Sequence, residues 1–282
     1  MLWKGRRQSD NVEDRRGISG GTLAAGGGIG ALVVAVIMLL LGGKPDEVMQ
    51  NLQPTQTSTQ QAGPLSAEDQ EMGQFISVVL ADTEDVWNQQ FQEAGRQYRE
   101  PGLVMFTDAT QSACGFAQAA TGPFYCPGDE KVYIDLGFFR DMQRQLGASG
   151  DFAFAYVIAH EVGHHVQNMM GVMDEMQRAQ QTMDQTEFNR FMVRMELQAD
   201  FLAGVWAHHA QRMKSILEEG DIEEGLNAAA SVGDDRIMKR TQGYVVPDAF
   251  THGTSKQRVY WFSLGFKRGD VSQGDTFSAN ID

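Results

Sequence analysis

The stretch His160-Glu161-Val162-Gly163-His164 limits what this chain can fold into more than any other. An α-helix repeats about every 3.6 residues, so residues four apart share a face. Two imidazoles so placed can converge on one metal ion with the carboxylate between them close by. The flanks suit a helix: Phe152 to Ala159 is an apolar approach, helical phasing runs on through Val166 and Met169-Met170, and Asp151 or Ser149 can cap the start. A glycine inside a helix costs about 1 kcal/mol, so Gly163 points to close packing against a neighbouring element.

A second helix is predicted over residues 195–206, where Glu196 and Asp200 again stand four apart and Leu197, Phe201 and Val205 give a partly buried face. Together the two helices supply two imidazoles and one carboxylate, leaving a fourth tetrahedral position open to water as a catalytic zinc requires. Glu196 is assigned to the metal. Asp200 is assigned to the remaining ring N–H of a ligand histidine, whose tautomer a carboxylate commonly fixes. The spacing also allows the reverse. One Zn2+ per chain would bring the pKa of its water toward neutrality, and Glu161 would take that water's proton and deliver it to a leaving amine.

A developing oxyanion needs a further donor, and His165, His208, His209, His252, Tyr133, Tyr156 and Tyr244 are the candidates. His252 is the first choice, because a histidine in a Thr/Gly/Ser turn ahead of a helix is available to a cleft. Capping of that helix near Thr254 or Ser255 is the other role for the turn. Arg258 either binds a carboxylate or braces the fold. His208 and His209, three turns beyond Glu196, are expected to be structural or superficial.

Between Gly17 and Gly43 there is no charge, and residues 23–43 are apolar enough to form a helix of about 30 Å that spans a bilayer. Lys4, Arg6, Arg7, Arg15 and Arg16 precede it, so positive-inside logic places residues 1–22 in the cytoplasm and the bulk of the chain outside. A cleaved signal peptide is the rival, without a convincing small-x-small site before Lys44. Gly26 and Gly30 have helix-dimer spacing, which glycine-rich spans also carry without dimerising. Residues 44–65, rich in Gln, Thr, Ser and Pro, are expected to be a flexible linker. Residues 66–282 then form one domain.

In that domain Ser66 to Asp69 opens a helix to about Leu80, Asp82 starts another to about Arg99, and Pro101-Gly102 ends it. Strands are predicted over 103–107 and 131–136, with 111–129 a loop that overhangs the cleft. Beyond the second metal helix, residues 220–230 form a helix and 234–239 lead into 241–247. Cys114 and Cys126, an even pair outside the cytoplasm, are expected to form a disulfide. No nearby histidine joins them as a metal site. With 23 Lys and Arg against 37 Asp and Glu, the net charge of −14 argues against nucleic acid or an anionic membrane surface as partner.

The chain resembles the YpfJ-type neutral zinc metallopeptidases of bacteria, small membrane-anchored proteins of the zincin group. The resemblance rests on Trp3 to Arg16, Ala113-Cys114-Gly115, Gly122 to Pro127, Val132 to Leu136, His160 to His165, Glu196 to Asp200 and Phe250 to Thr254. It implies His160, His164 and Glu196 as zinc ligands and Glu161 as the base. It also implies an α+β, zincin-like domain, helix-rich with a small sheet, after one N-terminal transmembrane helix. By analogy with zincins, Val132, Tyr133, Ile134 and Asp135 are the candidate strand edge for an extended peptide, plain sheet core being the alternative.

The expected function is that of a zinc endopeptidase acting on polypeptide or envelope substrates. Its expected place is the bacterial cytoplasmic (inner) membrane, held by one helix, N-terminus inside, catalytic domain periplasmic or extracellular. A zinc amidase cutting peptidoglycan crosslinks and a non-catalytic zinc-stabilised interaction domain are the alternatives.

Overall fold

A computed structural model of the protein describes residues 1–16, 65–118 and 121–281. The order of elements is strand β1 (Val12–Asp14), helix α1 (Ala67–Glu93), strands β2 (Gly102–Phe106), β3 (Ala109–Ser112), β4 (Gly115–Gln118), β5 (Phe124–Cys126) and β6 (Lys131–Asp135), and helix α2 (Leu136–Asp141). Helices α3 (Asp151–Met170), α4 (Val172–Thr182), α5 (Gln185–Lys214), α6 (Asp221–Ser231), α7 (Asp234–Gln242) and α8 (Ser255–Arg268) follow. The helix-rich α+β character expected from sequence is present.

The main sheet has strand order β1-β2-β6-β5, with β5 antiparallel to β6 and the other pairings parallel. Leu103, Val104, Met105 and Phe106 of β2 and Val132, Tyr133 and Ile134 of β6 are all buried, as central parallel strands require. Leu103, Met105, Val132 and Ile134 belong to the main core with the helices, whereas Val104, Phe106 and Tyr133 form a smaller cluster with Cys126 and Phe124. This is the period-two alternation of a strand.

Helix α3 lies at the centre of the core: every residue from Phe152 to Gln167 is buried. Helix α5 crosses it closely, since a Cβ on Gly163 would stand 3.0 Å from the Ala199 carbonyl oxygen. The motif glycine thus answers to packing, as its place in the sequence suggested. Helix α8 approaches α5 in the same manner, with Gly265 against the Phe201 carbonyl and Gly204 against that of Phe262.

Several expectations are corrected. Helix α1 is one element through Asp82, because that residue is buried and paired with Arg6 and Lys214 and does not cap a new helix. The expected 111–129 loop contains the end of β3 and all of β4 and β5, and the predicted Cys114–Cys126 disulfide joins the β3–β4 hairpin to β5. Val132 and Tyr133 are not a free edge, since β6 lies between β2 and β5 and is paired on both sides there, whereas Ile134 and Asp135 pair with β2 alone.

The membrane topology is also overturned. No helix among the described residues is long and apolar enough to cross a membrane. The expected span, 23–43, and nearly all of the expected linker, 44–65, lie outside the described residues. The decisive observation is at the N-terminus, where β1 joins the sheet beside β2 and Trp3 packs on Phe75. The Trp3 Nε1–H donates to Asp151 at 2.9 Å, and the Met1 ammonium pairs with Glu218 and Asp221 at 3.1 and 3.2 Å. Strands of one ladder cannot lie on opposite sides of a bilayer. The arginines that suggested a cytoplasmic flank are engaged within the fold, Arg6 with Asp82, Arg7 with Glu84 and Asp85, Arg15 with Glu13, and Arg16 with Asp14. The single-pass anchor, the membrane as partner through one helix, and the inner-membrane placement are therefore withdrawn.

Candidate metal centre

His160 and His164 project from one face of α3, and Glu196 meets them from α5, whose start is fixed by a capping box between Asp184 and Glu187. One ligand atom from each of the three lies within 4.8 Å of the others, and all three residues are buried. His160 Nε2 is 3.1 Å and His164 Nε2 3.4 Å from the two Glu196 oxygens. Tetrahedral zinc with bonds of about 2.0–2.1 Å sets its ligand atoms about 3.3 Å apart, so the cluster already has the spacing of a metal site.

The donor chemistry fits too. Asp200 Oδ1 accepts from His160 Nδ1 at 2.9 Å, and Gln167 Oε1 accepts from His164 Nδ1 at 2.8 Å. With Nδ1 so engaged, each ring turns Nε2 toward Glu196, the atom whose lone pair would take a metal. Asp200 is fully buried and shared: Arg258 donates to it through Nε at 2.7 Å and Nη2 at 2.9 Å, and the Tyr156 hydroxyl donates to the same oxygen as His160. Arg258 braces a carboxylate of the fold, one of the two roles its position suggested.

The charges are strongly coupled. Burial works against the imidazolium of His160, but the charge and hydrogen bond of Asp200, with Glu196, outweigh it and push the metal-free pKa up to about 10. Burial opposes ionisation of Glu196, yet the two histidines hold its carboxyl well below the usual range. A divalent cation supplies the positive charge this arrangement seeks.

Glu161, between the ligand histidines in sequence, is buried at 8% exposure, and its side chain makes no hydrogen bond among the described residues. Its oxygens are not committed to holding the fold. His252 stands in the turn before α8, half exposed, with Nδ1 3.2 Å from Asp234 Oδ1. Asp234 Oδ2 also accepts the backbone N–H groups of Thr251, His252 and Gly253 at 2.8, 2.6 and 3.0 Å. Burial opposes protonation of His252, but the Asp234 hydrogen bond and the charges of Glu196 and Asp234 together raise its pKa. Thr254 caps α8 through a capping box with Gln257, the capping role considered for this turn.

The other oxyanion candidates are engaged elsewhere. His165 is fully buried between the Tyr125 hydroxyl and the Arg99 carbonyl, and Tyr133 donates to Asp129. His208 and His209 bond to the carbonyls of Phe266 and Gly269, and Tyr244 is exposed. Sequence reasoning missed Gln167, Gln198 and Asp234. Of these only Gln167 carried a signal, a polar residue one helical turn after a ligand.

Geometry and ligand chemistry together define a protein with a three-ligand site able to hold a metal, in a helix-rich α+β domain. The family model described as "Putative neutral zinc metallopeptidase" matches residues 1–277, and the chain belongs to that family. It is 49% identical to the "Uncharacterized protein YpfJ" of Escherichia coli (strain K12), with the whole of each chain covered. It is 43% identical to the "Uncharacterized protein Mb2605" of Mycobacterium bovis, over 64% of each chain. No solved structure matches the chain.

Proposed function

We propose that this protein is a zinc-dependent endopeptidase that hydrolyses polypeptide substrates. The observation that carries the reading is the His160, His164 and Glu196 cluster, spaced for one ion, with the uncommitted carboxylate of Glu161 next in sequence to a ligand. Three protein ligands leave a position open, which separates catalytic from structural zinc. Zinc held there would supply a water acidified toward neutrality and a Lewis acid for the scissile carbonyl.

The chain's own residues supply the remainder. Glu161 takes a proton from the attacking water and gives it to the amine nitrogen as the C–N bond breaks. His252, tied through Nδ1 to Asp234, offers Nε2 to the carbonyl oxygen as negative charge builds on it. Asp200 keeps the His160 ring in its metal-facing tautomer. The edges of the main sheet are β1 and β5, and of these β5 is the one whose Tyr125 hydroxyl bonds to His165 and Asn168 of the metal helix. Backbone pairing with an extended substrate belongs there.

The test measures zinc content and cleavage of an unfolded protein by the purified full chain, wild type beside Glu161→Gln. One zinc per chain in both, with cleavage lost in the variant, is expected. Zinc without cleavage in either would overturn the endopeptidase reading and move attention to peptidoglycan amides or to a binding role.

A further inference from the structure

His164 is oriented by a chain of amides whose far end is anchored in the C-terminal tail. Gln167 is fully buried, and its Nε2 donates to the Met195 carbonyl at 2.7 Å and to Gln198 Oε1 at 3.0 Å. The Gln198 Nε2 in turn donates to the Gly274 carbonyl at 3.0 Å. A backbone carbonyl only accepts, so Gly274 dictates which way the Gln198 amide points, and Met195 does the same for Gln167. With Nε2 of Gln167 committed to acceptors, its Oε1 must face His164, whose Nδ1 must then carry the proton. The lone pair of that ring is left on Nε2, toward Glu196. Because Met195 immediately precedes Glu196, the same glutamine ties both ligands together.

Gly274 is itself held firmly. Thr276 is fully buried, its hydroxyl donates to the Arg194 carbonyl at 2.6 Å, and Arg194 Nη1 donates to the carbonyls of Thr276 and Ala279. Gln257 Nε2 donates to the Ile281 carbonyl at 2.7 Å. A Cβ at position 274 would overlap the Phe201 ring at 2.3 Å, so the tail lies close against the middle turns of α5.

We infer that the docked tail, residues 270–281, acts through Gly274, Gln198 and Gln167 to set the metal affinity of His164. Gln167 and Gln198 are positioning residues, and the tail is part of the metal site although it contributes no ligand. The inference rests on the zinc reading above and does not require that the protein cleave anything.

The experiment is titration of the metal-stripped full chain with zinc against a competing chelator, beside thermal unfolding of the metal-free form. Outer partners of metal ligands are worth about 10–100-fold in affinity. Gln167→Leu is expected near the top of that range. Gln198→Leu and Arg194→Met, which leave His164 and its direct partner in place, are expected to lose about tenfold. Thr276→Val replaces Arg194→Met should that chain not fold. Wild-type zinc affinity in all the variants, with only the metal-free melting temperature lowered, would reduce the amide chain to packing and overturn the inference. Weaker binding in Gln167→Leu alone would remove the tail from the site. A wild-type chain that takes up no zinc would sink the metal reading itself, whereas zinc uptake without proteolysis would sink only the endopeptidase reading.

Discussion

His160 and His164 stand one turn apart on the same helix, yet their Nδ1 atoms meet different chemistry. His160 is held by a buried carboxylate shared with Arg258 and Tyr156, His164 by a neutral glutamine linked through a second glutamine to a backbone carbonyl. Both arrangements produce the same tautomer. They differ in what happens when they are broken. An ion pair removed from water costs much to form and more to leave half made, whereas a lost amide bond leaves a polar group that costs less. The His160 side should therefore govern whether the core folds, and the His164 side how well a folded core binds metal.

Arg258→Met breaks that contrast most severely. It strands the Asp200 carboxylate, fully buried, with only His160 and Tyr156 as donors, and should lower the stability of the metal-free chain by about 3–5 kcal/mol. Gln167→Leu should cost about 1–3 kcal/mol. Urea unfolding of the two variants measures both, and equal losses would erase the distinction drawn between the two histidines.

The next effect lies outside the centre. Cys114–Cys126 spans 12 residues and pins the β3–β4 hairpin to β5. Replacing both cysteines by serine should release about 3 kcal/mol of loop-closure stabilisation. Zinc affinity should stay at the wild-type value, because among the described residues no hydrogen bond links this hairpin to either the amide or the carboxylate support. A fall in affinity would show that the sheet edge and the metal helices move as one unit.

A smaller change tests the helix crossing that brings Glu196 to the histidines. Gly163→Ala gains helix propensity of about 1 kcal/mol but sets a methyl group 3.0 Å from the Ala199 carbonyl oxygen, and overpacking of this kind costs about 1–3 kcal/mol. The expected net is a modest loss of stability with weaker zinc binding. A gain in both would mean that α3 and α5 separate freely.

These contrasts also show what the sequence could reveal. His160, His164, Glu196 and Asp200 were legible because metal ligation and helical period dictate both residue type and spacing, and Gly163 because a glycine inside a helix needs a steric reason. The N-terminal segment misled for an equally physical cause. Arginines beside an apolar stretch look alike whether they face phosphate or pair with Asp82, Glu84 and Asp85, residues some seventy positions away. Asp82 suggested a helix start for the same reason, its partners being distant. Strand β6 was found, but its place between β2 and β5 follows from long-range pairing, which local alternation does not encode. Gln167 and Gln198 acquire their roles only when two helices and the tail are packed together.

The last contrast is one of pH, and it belongs to the charged side. The metal-free His160 pKa is raised from the usual imidazole value to about 10. Below about pH 6.5 folded and unfolded chains both carry that proton, and the stabilisation from its ion pair is fully present. As pH rises toward 10 only the folded chain retains it, so the contribution falls by about 1.4 kcal/mol per unit and is lost through the folded pKa. Zinc must displace the same proton, so affinity moves the opposite way and should rise about tenfold per pH unit between roughly 7 and 9. Chelator-buffered titrations across that window give the slope directly. A flat profile would mean that His160 is already neutral in the metal-free chain and that Asp200 orients the ring without charging it.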